Sequence, residues 1–461
     1  MDKKQTYYFI GINGIGMSGL AEMLASQGHT VKGSDCSASL RVDHFKSCGI
    51  DVHQTHNKDN IECESWIIVI SSAIKSNNDE LVKANGIGCK VLKRGELLAM
   101  VIEQFKHSIA IVGTHGKTTT SSLLLQIFNE WVSPSYFVGG HLSGRSHAKL
   151  TDSEWFITEL DESDGSFLDA SPSQAIITNV ELDHVDFYQT KEDVTDAFSS
   201  FMKKVFKSNG CCAINLDDPI SEKLYKKSDQ KESCITYAVE SKSAQIRAEN
   251  IEYSWNGLSF SLVINNTNVD KVRVPLFGKH NVYNSLSAIS IAIHNEIPLK
   301  HILDGLAKFK GVKRRLELKY KANDIVLYDD YAHHPTEIIS TLEGLYKSFS
   351  QNRIITIFQP HRFSRLTNLF NSFASSFSRS TKTCILPVFS AGEKSDGHMS
   401  SIDLVNKINE NGSNAFYFDS FQAVISNIKE DLQANDIILV MGAGSVTQIS
   451  KDLIPIIKKA R

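Results

Sequence analysis

The chain of 461 residues lacks any apolar run near the ~18 residues that would cross a membrane, so membrane insertion is not expected. It also lacks an excess of positive charge, since 49 Lys and Arg face 52 Asp and Glu, which argues against a nucleic-acid partner. None of its eight cysteines forms a C-x-x-C pair, so a thiolate zinc site has no support and reduced thiols in a cytoplasmic protein are expected. An export leader is not indicated either, because the apolar start is short and broken by glycines.

Buried strands that alternate with helices indicate an α/β fold, because near-continuous apolar runs are typical of parallel strands covered on both faces. These runs are Tyr7–Ile12, Trp66–Ile70, Ile109–Val112, Trp155–Leu160, Ala175–Thr178, Ile325–Tyr328, Arg353–Phe358, Thr383–Val388 and Ile437–Met441. Residues 233–275 alternate instead, which predicts antiparallel strands as an insertion or an edge of the middle sheet. The length favours about three domains, and we place them at 1–105, 106–311 and 312–461.

A first glycine-rich loop follows the first apolar run. Gly14, Gly16 and Gly19 form a G-x-G-x-x-G pattern that opens a predicted helix over Met17–Gln27. Glycines permit a tight turn and close backbone approach, and a helix N-terminus favours phosphate. Asp35 ends the next strand, about 20 residues on, where a ribose contact is expected. The pattern indicates a diphosphate-containing nucleotide, and a NAD-dependent dehydrogenase stays an alternative.

A second loop, Gly113–Thr120, reads G-T-H-G-K-T-T-T between a predicted strand and a predicted helix, Ser121–Glu130. Its backbone N–H groups would surround phosphates, Lys117 would reach the β and γ oxygens, and Thr118 would bind Mg²⁺. The strict P-loop pattern has a glycine where this chain has Ile111, so the present loop is shorter. A dehydrogenase needs one nucleotide, whereas two phosphate loops favour ATP together with a second diphosphate ligand.

Two acidic clusters follow predicted strands: Asp161–Asp164 reads D-E-S-D, and Asn179–Asp186 reads N-V-E-L-D-H-V-D. The carboxyl ends of parallel strands are where α/β sheets place their sites. Carboxylate oxygens suit Mg²⁺, and His184 is compatible with a second metal ion. The alternative is a pair of solvated acidic loops, but their position in the domain of the phosphate loop favours metal.

Seven motifs, taken together and in this order, resemble those of the Mur ligase family. They read GTHGKTTT, DESD, NVELDHVD, FGKHNVYN, KRR, DDYAHHPTE and FQPHRFSR and begin at Gly113, Asp161, Asn179, Phe277, Lys313, Asp329 and Phe358. The resemblance covers nearly the whole chain, from Gly11 to Gly444. It implies a Rossmann-like UDP-binding domain, a P-loop-type ATPase domain with a mostly parallel central sheet, and a Rossmann-like C-terminal domain that takes the amino acid.

The activity implied by the resemblance is an ATP-dependent ligase of peptidoglycan precursor synthesis. It would join L-alanine to the lactyl carboxylate of UDP-N-acetylmuramate through an acyl phosphate. Two alternatives stay open beside the dehydrogenase: a ligase that recycles a tripeptide onto the same sugar, and a nucleotide-dependent binding protein without turnover. Neither the residues nor the resemblance predict an oligomeric state.

The resemblance also implies site residues for the nucleotides and the metal. For ATP they are Gly113, Thr114, His115, Gly116, Lys117, Thr118, Thr119, His280, Asn281, Asn284, Arg315 and Asp330. For the UDP-sugar they are Gly14, Gly16, Met17, Ser18, Asp35 and Ser71. For Mg²⁺ they are Thr118 and Glu162, with His184 for a possible second ion. Several family members use a carbamylated lysine at that second ion, and this chain has Phe198–Phe201 there, with Lys203 and Lys204 nearby.

For the amino acid and the muramoyl carboxylate the resemblance implies a pocket made by Tyr331, His333, His361, Arg362 and Arg365. Two arginines three residues apart can hold a carboxylate in a bidentate manner. His334, beside a helix start at Pro335, is interpreted as structural. The residues implied to act on the reacting groups are Lys117, Glu162, His184, Arg315 and His333, and the base for the amine is either His333 or His184.

Overall fold

The computed structural model of the protein describes residues 4–37, 40–140, 146–163, 165–182, 187–394 and 397–459. The chain divides into two compact units, and its described residues form three sheets. The first unit consists of Met1–Glu249, Leu262–Asp270 and Tyr283–Lys308, and the second of Asn250–Ser261, Lys271–Val282 and Phe309–Arg461. None of the described helices is both long enough and apolar enough to span a membrane.

The first sheet is parallel, with strand order β3-β2-β1-β4-β5. Its strands are β1 (Thr6–Ile10), β2 (Thr30–Ser34), β3 (Asp51–His53), β4 (Ile67–Ile70) and β5 (Lys90–Lys93). The helices are α1 (Ile15–Ser26), α2 (Val42–Ser47), α3 (Asp79–Ile87) and α4 (Arg94–Ile102). The order reverses beside β1, which is where doubly wound sheets bind their ligands.

The second sheet has the order β12-β11-β10-β6-β9-β7-β8, and β13, β14 and β15 follow at the β12 edge. Its strands are β6 (His107–Val112), β7 (Ser135–Phe137), β8 (Ala148–Lys149), β9 (Trp155–Glu159), β10 (Gln174–Ile177), β11 (Cys211–Asn215), β12 (Cys234–Ala238), β13 (Ile246–Ser254), β14 (Gly257–Ile264) and β15 (Thr267–Val274). The helices are α5 (Lys117–Asn129), α6 (Lys191–Lys207), α7 (Pro219–Lys227), α8 (Lys279–His294) and α9 (Leu299–Ala307). The edge position of β13–β15 confirms the interpretation of residues 233–275 as an edge of the middle sheet. The expected antiparallel pairing is wrong for β12, which pairs in parallel with β11 and β13.

The third sheet has the order β16-β17-β21-β18-β19-β20 and is parallel except for β16. Its strands are β16 (Glu317–Ala322), β17 (Ile325–Asp330), β18 (Ile354–Phe358), β19 (Lys382–Ile385), β20 (Ala415–Tyr417) and β21 (Ile437–Met441). The helices are α10 (Pro335–Ser348), α11 (Phe363–Asn368), α12 (Phe370–Ala374), α13 (Ser401–Glu410), α14 (Phe421–Asp431) and α15 (Ile449–Lys459). Helix α10 begins at Pro335 with His334 as its N-cap, as the sequence predicts.

Candidate active site

The second glycine loop connects β6 to α5, and its backbone requires glycine at two positions. Gly113 has a φ of +132° and Gly116 a φ of +83°, both in the region that favours glycine. A Cβ atom on Gly116 would lie 2.5 Å from Oδ1 of Asn284, and one on Gly113 would meet Oγ1 of Thr178. Because Gly116 has no side chain to cap α5, the first N–H groups of this helix can bind a phosphate.

Lys117 lies at the start of α5 and forms a buried ion pair with Glu162. Its Nζ donates to Oε2 and Oε1 of Glu162 over 2.7 and 3.0 Å, and to the carbonyl oxygen of Gly113 over 2.6 Å. Burial acts to lower the pKa of Lys117, but Glu162 and Asp161 outweigh it and the net shift is upward. The loop therefore holds a permanent cation where the phosphates of a nucleotide would lie.

Thr118 contacts a carboxylate other than Glu162. Its Oγ1 donates to Oε2 of Glu159 over 2.9 Å, and Oγ1 of Ser121 donates to Oε1 of the same residue over 2.8 Å. Burial raises the pKa of Glu159, which Ser121 and Thr118 oppose by hydrogen bonding. Sequence reasoning missed Glu159 because it assigned this residue to a buried strand. The signal that could have identified Glu159 is a carboxylate in the last position of an otherwise uncharged strand.

Residues of the second acidic cluster form hydrogen bonds with the second glycine loop. The N–H of His115 donates to Oδ1 of Asn179 over 2.9 Å, and Nδ2 of Asn179 donates back to the carbonyl oxygen of His115 over 2.9 Å. The N–H of Glu181 donates to Oγ1 of Thr114 over 2.9 Å. Thr119, which follows in the first turn of α5, is buried. These bonds fix the loop against the end of β10, because β10 and β6 are neighbouring strands.

His184 lies outside the described residues. Over Phe198–Phe201 helix α6 presents core residues: Phe198 and Phe201 each place their ring 5.2 Å from that of Phe167. Lys204 donates to the carbonyl oxygen of Leu168. Phe198 and Phe201 are therefore part of the core, and the second metal site stays a prediction.

The first glycine loop joins β1 to α1, which begins at Ile15. The N–H of Asn13 donates to Oδ2 of Asp35 over 2.9 Å, and the N–H of Ser37 donates to Oδ1 over 2.8 Å. Oδ2 of Asp35 thus holds the loop, while its Oδ1 holds the backbone that follows β2. The ribose contact expected of Asp35 stays a prediction. Ser71 lies near the turn, with its Oγ 3.6 Å from the Cβ position of Gly11.

Met17 and Ser18 point inward from α1, with exposed fractions of 2% and 0%. Oγ of Ser18 lies 3.4 Å from Nε2 of His147. Their side chains therefore lie behind the helix and not at the loop opening, because their helical positions face the core. Beside the opening, Cδ of Arg94 lies 2.9 Å from the Cβ position of Gly16, and sequence reasoning missed this arginine.

The adenine residues implied by the resemblance fall in the first turns of α8. Nδ2 of Asn281 donates to the carbonyl oxygen of Phe277 over 2.7 Å and lies 3.0 Å from Nε2 of His280. Oδ1 of Asn284 accepts a hydrogen bond from Oγ1 of Thr120 over 3.3 Å. His280 and Asn281 belong to the second unit, whereas Asn284 belongs to the first and packs on the phosphate loop.

Arg315 lies beside Tyr331, another residue of the predicted site, and beside Glu337, which was not predicted. Its Nη1 lies 3.4 Å from Oε1 of Glu337, and its Cζ lies 5.1 Å from the ring centre of Tyr331. Arg314 approaches the same ring to 4.9 Å. Tyr331 is therefore held by two guanidinium groups through cation–π contacts.

Asp330, expected to contact a ribose, is engaged with the backbone. Its Oδ2 accepts from the N–H of Leu316 over 2.6 Å, and its Oδ1 accepts from the N–H of Ala332 over 2.7 Å. Burial raises the pKa of Asp330 to about 6, against the lowering effect of Arg315. In this arrangement Asp330 ties the loop before β16 to the end of β17.

Two histidines of the predicted amino-acid pocket lie together and are held neutral. The ring of His333 lies 5.1 Å from that of Tyr331 and 6.0 Å from that of His361. Burial lowers the pKa of His361 to about 4, with His333 and Arg365 adding to the effect. Burial also lowers the pKa of His333. Neutral imidazoles can accept a proton or a hydrogen bond from an incoming ammonium group.

Both predicted arginines reach the same cluster. Nη1 of Arg365 lies 3.4 Å from Nδ1 of His361, and Nη1 of Arg362 lies 3.9 Å from Oε1 of Glu393. Arg362 has a φ of +70°, a strained value for a residue with a side chain. Such strain is concentrated at binding sites. The second unit therefore gathers all five residues predicted for the amino acid.

Comparison with known protein families accounts for nearly the whole chain. The model for the catalytic domain of the Mur ligase family matches residues 6–106, the Mur ligase middle domain matches 111–292, and the glutamate ligase domain of Mur ligases matches 314–444. A UDP-N-acetylmuramate–L-alanine ligase of Sulfurihydrogenibium sp. is 39% identical over 453 residues, which are 98% of this chain and 97% of the relative. The chain belongs to the Mur ligase family.

Solved structures of Mur ligases show the same fold. A UDP-N-acetylmuramate-alanine ligase from Thermotoga maritima matches with a TM-score of 0.82 at 24% identity, over 99% of this chain and 100% of that one. A murein peptide ligase from Psychrobacter arcticus matches with a TM-score of 0.67 at 23% identity, over 99% of each chain. The Mur ligase models span both glycine loops, which argues against a NAD-dependent dehydrogenase.

Proposed function

We propose that the protein is a cytoplasmic ATP-dependent ligase that joins L-alanine to the lactyl carboxylate of UDP-N-acetylmuramate, a step of peptidoglycan precursor synthesis. The observation that carries the proposal is the buried cation of Lys117 within a loop whose backbone suits phosphates. The name of the Sulfurihydrogenibium relative supports the choice of substrates. The eight cysteines are all free thiols, as expected in a reducing compartment.

The chemistry requires activation of the acceptor. A carboxylate cannot expel oxide, so ATP transfers its γ-phosphoryl group to the lactyl carboxylate and ADP leaves. The amine of L-alanine then attacks the acyl phosphate, a tetrahedral intermediate collapses, and amide and phosphate result. Lys117 and Arg315 would offset the charge that develops during phosphoryl transfer. His333, neutral and buried, is our candidate for accepting the proton of the amine.

The nucleotide would be bound by the second loop and by the start of α8. Residues Gly113–Thr119 would surround the phosphates, and His280, Asn281 and Asn284 would hold the adenine. Because Asp330 accepts hydrogen bonds from two backbone N–H groups, it would support the ribose site and not bind the ribose with a free carboxylate. The proposal includes three domains, at residues 1–105, 106–311 and 312–461.

The residues near Thr118 fit a magnesium ion. Three carboxylates lie here, those of Glu159, Asp161 and Glu162, and their negative charge exceeds the single positive charge of Lys117. Burial raises the pKa values of Glu159 and Glu162. Oxygen donors and surplus negative charge are what Mg²⁺ prefers. Thr118 and Glu159 would hold it, with Glu162 retained on Lys117, and a second ion at His184 stays a prediction. When bound, the ion would supply positive charge to the phosphates of ATP.

The sugar nucleotide would lie at the first glycine loop, with Gly14, Gly16, Asp35 and Ser71 at its opening and Met17 and Ser18 supporting α1 from behind. L-Alanine would occupy the cluster of the second unit. There Arg362 and Arg365 would bind its carboxylate, and Tyr331, His333 and His361 would line the pocket. One methyl group in such a pocket is worth about 1–3 kcal/mol, so slow turnover of glycine is expected.

The deciding experiment is phosphate release from ATP and Mg²⁺ with UDP-N-acetylmuramate, adding L-alanine, glycine, L-serine or the tripeptide in turn. Release that depends on both the sugar nucleotide and L-alanine is the expected result. Release with the tripeptide alone would favour the recycling ligase. Nucleotide binding without release under any condition would favour a binding protein and overturn the proposal.

A further inference from the structure

Arg94 lies beside the first glycine loop and beside the turn that follows β9, both in the first unit. It is the first residue of α4, directly after β5, at the carboxyl edge of the first sheet. A positive charge in the first turn of a helix opposes the helix dipole, and Glu96 in the same turn of α4 offsets it.

One side of Arg94 contacts the first loop. Its Cδ, Nη1 and Nε atoms lie 2.9, 3.4 and 3.5 Å from where a Cβ of Gly16 would stand. The guanidinium thus lies along the second residue of α1, and any side chain there would displace it. Helix α1 has no acidic residue in its first turn, so the positive charges of Arg94 and of the helix end add together.

The other side of Arg94 contacts the turn that follows β9. Its Nη2 lies 3.9 Å from Oδ2 of Asp161, the residue next to Glu162. The following residue, Gly95, packs so closely on this turn that a Cβ would lie 2.5 Å from Cβ of Ser166. The close packing of Gly95 therefore fixes the backbone next to Arg94 with respect to this turn.

We propose that Arg94 is a diphosphate-binding residue of the first glycine loop and that Asp161 positions its guanidinium. This inference rests on the proposed function, since it takes the first loop as the sugar-nucleotide site. A guanidinium can form two charge-assisted hydrogen bonds to phosphate oxygens, which a lysine cannot do in the same plane. Asp161, at 3.9 Å, is close enough to orient the group and too distant to hold it in competition with a phosphate.

The test is the binding of UDP alone to the full chain, measured by calorimetry, so that turnover is not required. Arg94→Ala is expected to weaken UDP binding roughly tenfold to hundredfold, and Arg94→Lys to recover part of the loss. ATP binding of the same variants is expected to stay within about threefold. Lys90→Ala is the matched control, because Lys90 is an exposed cation at the start of β5, the strand that Arg94 follows.

Asp161→Asn tests the positioning. Its effect on UDP binding should disappear in the Arg94→Ala background, so that the double variant binds as Arg94→Ala does. Equal UDP affinity in wild type and Arg94→Ala would overturn the proposal, and additive effects in the double variant would overturn the part played by Asp161. Failure of the wild-type protein to bind UDP would instead reject the first loop as the sugar-nucleotide site.

Discussion

The Nζ of Lys117 lies 2.7 Å from Oε2 of Glu162, and the two side chains are only 19% and 3% exposed. A buried charge is costly unless it is paired, so each of these residues depends on the other. Glu162 therefore holds the ammonium group of Lys117 at the start of α5. This ion pair keeps the loop in a charged, preorganised form.

Replacing Lys117 by methionine is expected to abolish ATP-dependent turnover and to lower stability. Removing one partner of a buried pair costs about 3–5 kcal/mol, because Glu162 is left charged without compensation. Phosphate release and thermal unfolding measure the two effects. The double variant Lys117→Met, Glu162→Gln should regain stability without activity, whereas Lys223→Met, on the exposed side of α7, should change neither. A stable, active Lys117→Met protein would contradict the assignment.

Replacing Gly116 by alanine is expected to weaken ATP binding. The new Cβ would lie 2.5 Å from Oδ1 of Asn284, and the φ of +83° is unfavourable for alanine. The control is Gly86→Ala in α3, where a Cβ meets open space and should add about 0.5–1 kcal/mol of stability. Calorimetric titration with ATP compares the ATP affinities of the two variants. Unchanged ATP affinity in Gly116→Ala would argue against a phosphate-binding loop.

The sequence predicts the strands and both loops because each depends on residues close in the chain: an apolar run, closely spaced glycines, and a following helix. It does not predict the partners of those loops, because strand order decides them. Glu159 reaches Thr118 only because β9 lies beside β6, with Ile111 opposite Glu159. Arg94 reaches Gly16 only through packing of α4. The burial of Ser18 likewise depends on the residues that pack on α1, such as His147, and these are distant in the sequence.

His361 is expected to titrate near pH 4, since burial and then the charges around it lower its pKa to about 4. An unfolded histidine titrates near 6.5, so protonation favours the unfolded state. The stabilising contribution of neutral His361 is complete above about pH 6.5 and is lost as the pH falls towards 4. NMR titration of its imidazole carbon, compared with the urea-unfolded chain, measures both values. A folded-state midpoint near 6.5 would contradict the burial argument.

Glu80 should be among the most important residues for the stability of the first sheet. It is fully buried, and its carboxylate accepts hydrogen bonds from the hydroxyls of Tyr8 and Ser34 over 2.7 and 2.5 Å and from Nδ2 of Asn60 over 2.7 Å. Glu80→Ala leaves these donors without their acceptor.

Because each unsatisfied buried donor costs about 1–3 kcal/mol, Glu80→Ala is expected to lose roughly 3–5 kcal/mol in urea unfolding. Glu80→Gln, which keeps one acceptor oxygen, should lose less. The exposed Glu62 gives the control variant Glu62→Ala, which should stay within about 0.5 kcal/mol of wild type. Since Ser34 directly precedes Asp35, the same Glu80→Ala substitution should weaken UDP binding while leaving ATP binding unchanged. Equal losses of both affinities would mean that Glu80 supports the whole first unit and not the first loop in particular.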